Sequence, residues 1–222
     1  MHVSRVFALP LVAVAMLPFD TRAAASLMVD DASITDAGRC QLESWGRHTD
    51  AGNEWTAVPA CTIAGTEWSL GVSHQRATAA THWAVGAKRV LRDLDQRRWG
   101  VAVSAGVGSD WHRPRANDWN LNAPLTVALG ASDRTLLHLN LGWARTAGAR
   151  GRTDGVGLEI VAAPHWSLLA ETARDATRQR SSQFGVRHEL WRGASVDLLA
   201  GRMHHQRDGR WLTLGFNLAA AP

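Results

Sequence analysis

The sequence predicts an all-β chain folded as a single closed antiparallel transmembrane β-barrel of about 12 strands, and three observations predict it. Apolar residues recur at every second position in short segments. In RTLLHLNLGW, residues 134–143, Leu137, Leu139, Leu141 and Trp143 alternate with His138, Asn140 and Gly142. Successive side chains on a strand point to opposite faces, so this spacing gives one oily face and one polar face. The links between segments alternate between longer polar ones and tight ones, which is the loop pattern of an outer-membrane barrel. Tryptophans stand near the ends of the apolar faces and not in their middles.

The first stretch, MHVSRVFALPLVAVAMLPFDTRAAAS, falls outside that barrel. Arg5 supplies a short basic head, an apolar run follows from Val6 to Phe19, and Ala23, Ala24 and Ala25 make a small-residue end. These are the parts of a secretory signal peptide over residues 1–25, with cleavage after Ala25. The run is short of the roughly 20 residues a spanning helix needs, and Pro10 and Pro18 interrupt it. Residues 26–222 are then the barrel domain. Both cysteines, Cys40 and Cys61, lie in this exported part, where an oxidising compartment favours a disulfide over two buried free thiols.

Twelve alternating segments follow, at 39–47, 54–61, 67–74, 82–88, 99–107, 120–129, 135–144, 155–162, 166–173, 182–190, 194–202 and 211–218. Clusters of Gly, Asp, Asn, Arg and Pro bound them. The links after odd-numbered segments are long: HTDAGN, QRATAAT, GSDWHRPRAND, RTAGARGRTD, RDATRQRS and MHHQRDGR. Those after even-numbered segments are mostly tight, as in TIAGT, GASD, APH and WRG, with RVLRDLDQRR the exception. Reflecting the first hairpin about Asp50-Ala51 sets Cys40 opposite Cys61 and Leu42 opposite Pro59. Directly opposed residues share a face, so a cross-strand disulfide is sterically allowed there. Closing a loop of that size contributes on the order of 3 kcal/mol in the chain-entropy model.

Face assignment decides what kind of barrel this is. Apolar faces such as Trp99-Val101-Val103-Ala105-Val107 and Leu212-Leu214-Phe216-Leu218 back onto faces that carry acidic, basic, amide and hydroxyl side chains. A soluble barrel would turn the oily faces inward, and alternation alone is compatible with that. Tryptophan position favours the membrane. With odd strands running outward, Trp55, Trp83 and Trp143 fall at the external rim, and Trp68, Trp99 and Trp166 at the periplasmic rim. An amphipathic indole belongs at the head-group boundary, so the two sets read as aromatic girdles. Turning the apolar faces to lipid leaves Glu43, Glu67, Lys88, His138, Glu159, Glu171, Arg187, Glu189 and Asp197 lining the lumen. Gly71, Gly86, Gly106, Gly142, Gly157 and Gly185 lie on the same walls.

The segments AGRCQLESWGRHTD, PACTIAGTEWSLGVSHQR, VGAKRVLRDL, LLHLNLGWAR and GVGLEI…WSLLAETARD carry a resemblance. The chain resembles uncharacterised proteobacterial outer-membrane β-barrel proteins and is similar to the transporters assigned to the phenol meta-pathway group. The likeness runs over nearly the whole exported part. It implies a barrel acting as a pore or transporter, and it brings no catalytic residues. One departure is the end of the chain: such barrels typically finish on an aromatic residue, whereas here six residues follow Phe216.

A lumen with charges of both signs predicts a passive channel or transporter for a small solute. The alternative is a closed structural or surface-interaction barrel in which those charges pair and fill the interior; a soluble periplasmic ligand-binding barrel is a further one. The net charge of +4 is carried by arginine, Lys88 being the only lysine. An exported protein meets anionic head groups and lipopolysaccharide phosphates in place of nucleic acid. Guanidinium forks suit phosphate, and the outer links hold Arg145, Arg150, Arg152, Arg174, Arg180, Arg207 and Arg210 among others. His48, His74, His82, His112, His204 and His205 also fall near those links. They lack cysteine partners or a helical H-x-x-x-H spacing, so neither a metal site nor a cofactor is expected. No G-x-S-x-G or H-E-x-x-H motif occurs. Ser182 and His188 share a face but stand about 20 Å apart at strand rise, so an enzyme is not expected.

Overall fold

The computed structural model describes residues 26–94, 98–130, 134–206 and 208–219, apart from the side chains of 113–117. The expected leader, residues 1–25, and Arg207 lie outside the described residues. Twelve strands form one closed barrel: β1 Cys40–Thr49, β2 Gly52–Ile63, β3 Thr66–Gln75, β4 Ala80–Arg92, β5 Trp99–Asp110, β6 Arg113–Leu129, β7 Thr135–Thr146, β8 Ala149–Ala163, β9 Trp166–Arg174, β10 Arg180–Trp191, β11 Ala194–Met203 and β12 Arg210–Ala219. Each pairs antiparallel with its sequence neighbours, and β1 closes the ring against β12 through pairs such as Leu42 with Leu218. Closure leaves no strand edge unpaired, which is what a sheet in hydrocarbon requires.

Cys40 stands opposite Cys61 and Leu42 opposite Pro59, the register expected from the sequence, and the two cysteines form a disulfide. The link lengths depart from expectation. β6 extends back to Arg113 and β8 to Ala149, so the polar stretches read as long loops are largely paired strand. The connections at that end are only 50–51, 76–79, 111–112, 147–148, 175–179 and 204–209. The physical reason is that ladder hydrogen bonds belong to the backbone. Loss of apolar side chains marks where the lipid ends, and pairing continues past it into water. Ala147 and Gly148 both take positive φ, the geometry of a two-residue hairpin that matches the twist of its strands.

The barrel is apolar outside and polar inside. Leu141, Phe184, Leu198 and Leu214 are exposed on its outer face, while Gln183, Arg187, Asp197, Thr213 and Asn217 are buried within. Leu139 lies opposite the exposed Val156, on the outer face. A soluble barrel would show the reverse. Before β1, residues 26–35 run through the interior and 36–38 emerge exposed at its end, an element that alternation along the chain does not reveal.

Candidate functional site: the barrel interior

The interior is organised around this N-terminal segment. A backbone with no sheet partner must still satisfy its amides when buried, and here wall side chains accept them. Glu171 on β9 takes Met28 N at 2.8 Å and Val29 N at 2.9 Å, one on each carboxylate oxygen. Asn140 on β7 accepts Asp30 N at 2.8 Å, Thr126 on β6 accepts Ala32 N at 2.9 Å, and Glu67 on β3 accepts Thr35 N at 2.8 Å. Ser26 donates to Asp197 at 3.1 Å and its carbonyl accepts from Gln183 at 2.9 Å. The segment thus crosses from β11 to β2, where Gly38 N meets the Thr62 carbonyl. Glycines recess the wall beneath it. A Cβ on Gly155 would lie 2.8 Å from Val29 Cγ2, and one on Gly215 would lie 2.8 Å from Ser26 Oγ.

Of the residues expected to line the lumen, Glu67, His138, Glu171, Arg187 and Asp197 are buried, and the partners differ from expectation. Lys88 does not meet a wall carboxylate. Its Nζ is 2.7 Å from Asp30 and 3.5 Å from Asp31, both on the N-terminal segment. Arg187 grips Asp197 with Nε at 2.7 Å and Nη2 at 2.9 Å, and Glu159 lies 3.7 Å from its Nη1. Fork-to-carboxylate pairing of this kind is both directional and strong. His138 is buried against Thr126, with Nδ1 3.0 Å from its Oγ1. Glu189 sits at the rim, 3.3 Å from His165 in the β8–β9 link. Glu43 lines the same cavity as Glu67 and Lys88. Inward-pointing Trp211 was not foreseen; it is buried, lies over Gly201 and donates to Gln183 at 3.0 Å.

Filling is uneven. Between the segment and β1–β5 a cavity of about 1020 Å³ remains, reaching from the rim at Arg39, Asp93 and Arg192 to Asn120 in mid-barrel. Against β7–β9 a pocket of about 10 Å³ lies beside Val29 and Glu171. Sequence reasoning missed residues 26–36 because they carry no strand signal. The available signals were Asp30-Asp31 as an acidic pair before the first strand, and a lone lysine, Lys88, facing inward.

On the outer face, Trp55, Trp83 and Trp143 stand toward one rim and Trp68, Trp99 and Trp166 toward the other; all but Trp83 are strongly exposed. The serine expected to be isolated has a histidine after all: Ser182 Oγ is 2.9 Å from His204 Nε2, not near His188. Ser182 also bonds Thr172 at 3.1 Å. The side-chain amide of Gln179 donates to the His204 carbonyl at 2.6 Å, and the flanking strand residues are committed to strand pairing. Among the described residues no three His, Cys, Asp or Glu side chains gather as metal ligands.

Three solved structures are similar to this chain in fold. The KdgM porin in complex with disordered oligogalacturonate matches with a TM-score of 0.68 at 10% identity, over 82% of this chain and 99% of that one. The COG4313 outer membrane channel from Pseudomonas putida F1 matches with a TM-score of 0.60 at 10% identity, over 86% and 98%. The NanC porin matches with a TM-score of 0.60 at 8% identity, over 82% and 100%. Among curated proteins none matches. Residues 11–220 match the model of a family described as "Uncharacterised conserved protein UCP029691", and the chain belongs to that family.

Proposed function

We propose that this protein is an outer-membrane channel for small solutes whose lumen is narrowed by residues 26–36. The observation that carries the reading is the cavity of about 1020 Å³ inside a closed barrel that is apolar outside. The porin-like fold supports it. Six carboxylates line the cavity, Asp30, Asp31, Asp36, Glu43, Glu67 and Asp93, against four cations, Arg39, Lys88, Arg89 and Arg192. An acidic lining repels anions such as the oligogalacturonate seen in KdgM and favours neutral or cationic solutes. The resemblance to phenol meta-pathway transporters adds small phenols to the neutral solutes to test.

The same reading places the chain in the outer membrane, the two tryptophan sets at its interfaces, and lipopolysaccharide around the arginine-bearing rim. Residues 1–25 act as a leader removed on export. Ser26 is buried against Asp197 and Gln183, which favours a chain that starts there. A second reading, a closed barrel, is favoured by the small size of the pocket beside Val29, about 10 Å³. Planar-bilayer recording of the full chain and of a variant lacking residues 26–36 separates the two. The channel reading expects small cation-selective currents that grow on deletion. Silence from both proteins would leave the closed barrel standing.

A further inference from the structure

Three hairpins at the rim expected to face outward begin with arginine directly opposite arginine. Arg145 opposes Arg150 across β7–β8, Arg174 opposes Arg180 across β9–β10, and Arg202 opposes Arg210 across β11–β12. Like charges directly opposite on a sheet are destabilising. The other three hairpins avoid this at their corresponding ends: Thr49 faces Gly52, Gln75 faces Ala80, and Asp110 faces Arg113. Among the described residues, only Arg174 of the six has a carboxylate partner, Asp154, at 2.9 Å from its Nε. A sheet that sets three such pairs side by side makes a positive arc in which, among the described residues, Asp154 beside Arg174 is the one carboxylate partner.

We propose that this arc binds the phosphates of a lipid in the outer leaflet, the diphosphorylated lipid anchor of lipopolysaccharide. The arginines share strand parity with the exposed apolar residues below them: Arg145 with Trp143 and Leu141, Arg180 with Phe184, and Arg210 with Leu212 and Leu214. These three arginines therefore top lipid-facing columns, where an acyl chain lies along the apolar side chains and its head group reaches the guanidinium. A free phosphate would gain nothing from the column, so the geometry points to a lipid. Ser182, directly opposite Arg202, adds a hydroxyl at the same level, hydrogen-bonded to His204. Guanidinium pairs offer the forked donors that phosphate oxygens accept.

The inference deepens the lipopolysaccharide contact proposed above, narrowing a diffuse set of loop arginines to one arc. It rests on the barrel lying in the membrane and not on conduction through it. The test compares the full-length protein with its Arg180→Gln/Arg202→Gln/Arg210→Gln variant in nanodiscs. The probes are diphosphorylated lipid A, the same lipid stripped of phosphate, and inorganic phosphate as competitor. At about 1 kcal/mol per arginine near an anionic surface, the variant should hold lipid A on the order of 100-fold more weakly. Arg76→Gln, in the β3–β4 link, should hold it as the wild type does. Equal retention by the triple variant, equal binding of the phosphate-free lipid, or full displacement by millimolar inorganic phosphate would each overturn the proposal. A second readout needs no lipid. In lipopolysaccharide-free detergent the triple variant should resist heating at least as well as the wild type, because two of the three opposed arginine pairs are gone. A lower unfolding temperature there would make the arginines structural and sink the idea. Wild-type protein that binds lipid A yet passes no current would remove the channel reading alone.

Discussion

The two halves of this barrel are built from the same hairpin repeat yet differ inside. From β7 to β11 the N-terminal segment lies against the wall, with a pocket of about 10 Å³ beside it at β7–β9, whereas along β1–β5 and the near ends of β11 and β12 a cavity of about 1020 Å³ stays open. Wall recesses do not explain the difference. Gly155 and Gly157 recess the filled side, and Gly71, Gly86 and Gly106 recess the open side as deeply. The filled side also presents acceptors at the spacing of an extended chain: Glu171, then Asn140, then Thr126. Small residues create volume, but buried backbone occupies only the volume in which its amides are satisfied.

The largest effect expected from breaking that contrast comes from the charge pairs. Arg187 and Asp197 are fully enclosed on the filled side, with side chains 5% and 0% exposed. Arg187→Met strands Asp197 and Glu159, and removal of one partner of a buried pair costs about 3–5 kcal/mol. Lys88→Met strands Asp30 and Asp31, but Asp30 is 39% exposed to the cavity and can rehydrate. The shift to the unfolded band on a heated denaturing gel should come at a markedly lower temperature for Arg187→Met than for Lys88→Met. Equal losses would mean that water reaches both sides alike.

Next in size is the anchoring of the segment. Glu171→Ala removes the acceptor of two amides at once, Met28 N and Val29 N. An orphaned buried donor costs about 1–3 kcal/mol, enough to raise the undocked fraction tenfold or more. Glu67→Ala removes the acceptor of Thr35 N beside the cavity, where water can replace it at a smaller cost. A cysteine at Val29, buried in the wild type, reports the difference through its rate of reaction with a water-soluble maleimide. Labelling should be much faster with Glu171→Ala than with Glu67→Ala. No acceleration by either would show that the segment is held by packing alone.

The contrast also shows what the sequence can and cannot express. Period-two alternation set all twelve strands, the outward faces and the Cys40–Cys61 register, because each depends on near neighbours along the chain. Strand ends on the arginine-bearing rim were misplaced, since Arg113, Asp118 and Ala149 to Gly151 pair without apolar side chains to announce it. The lumen residues were legible as a face but not as partners. Lys88 meets Asp30 across 58 positions, and Ser26 meets Asp197 across 171. Such contacts follow from closure of the ring and leave no local periodicity. Ser182 and His204 show the same limit, joined by a turn between strands and not by spacing on one strand.

The smallest and sharpest test is a single methyl group placed on each side. At Gly155 a new Cβ would come within 2.8 Å of Val29 Cγ2, inside any normal carbon contact, so the segment must lift or the wall must bend. At Gly71 the nearest atom to a new Cβ is Val58 Cγ2 at 3.7 Å, and the cavity lies beyond. Neither glycine has the left-handed φ that would penalise alanine on its own, so only the contact differs. Overpacking of this kind costs about 1–3 kcal/mol where nothing yields. The segment can yield, so the effect should sit at the low end and appear as its displacement rather than as loss of the barrel. Gly155→Ala should therefore raise maleimide labelling at position 29 and widen the current, while Gly71→Ala should change neither beyond the ±0.5 kcal/mol typical of a tolerated substitution. If the two alanines behaved alike, residues 26–36 would not rest on β8 in the working protein, and the filled half of the barrel would have to be open in the membrane.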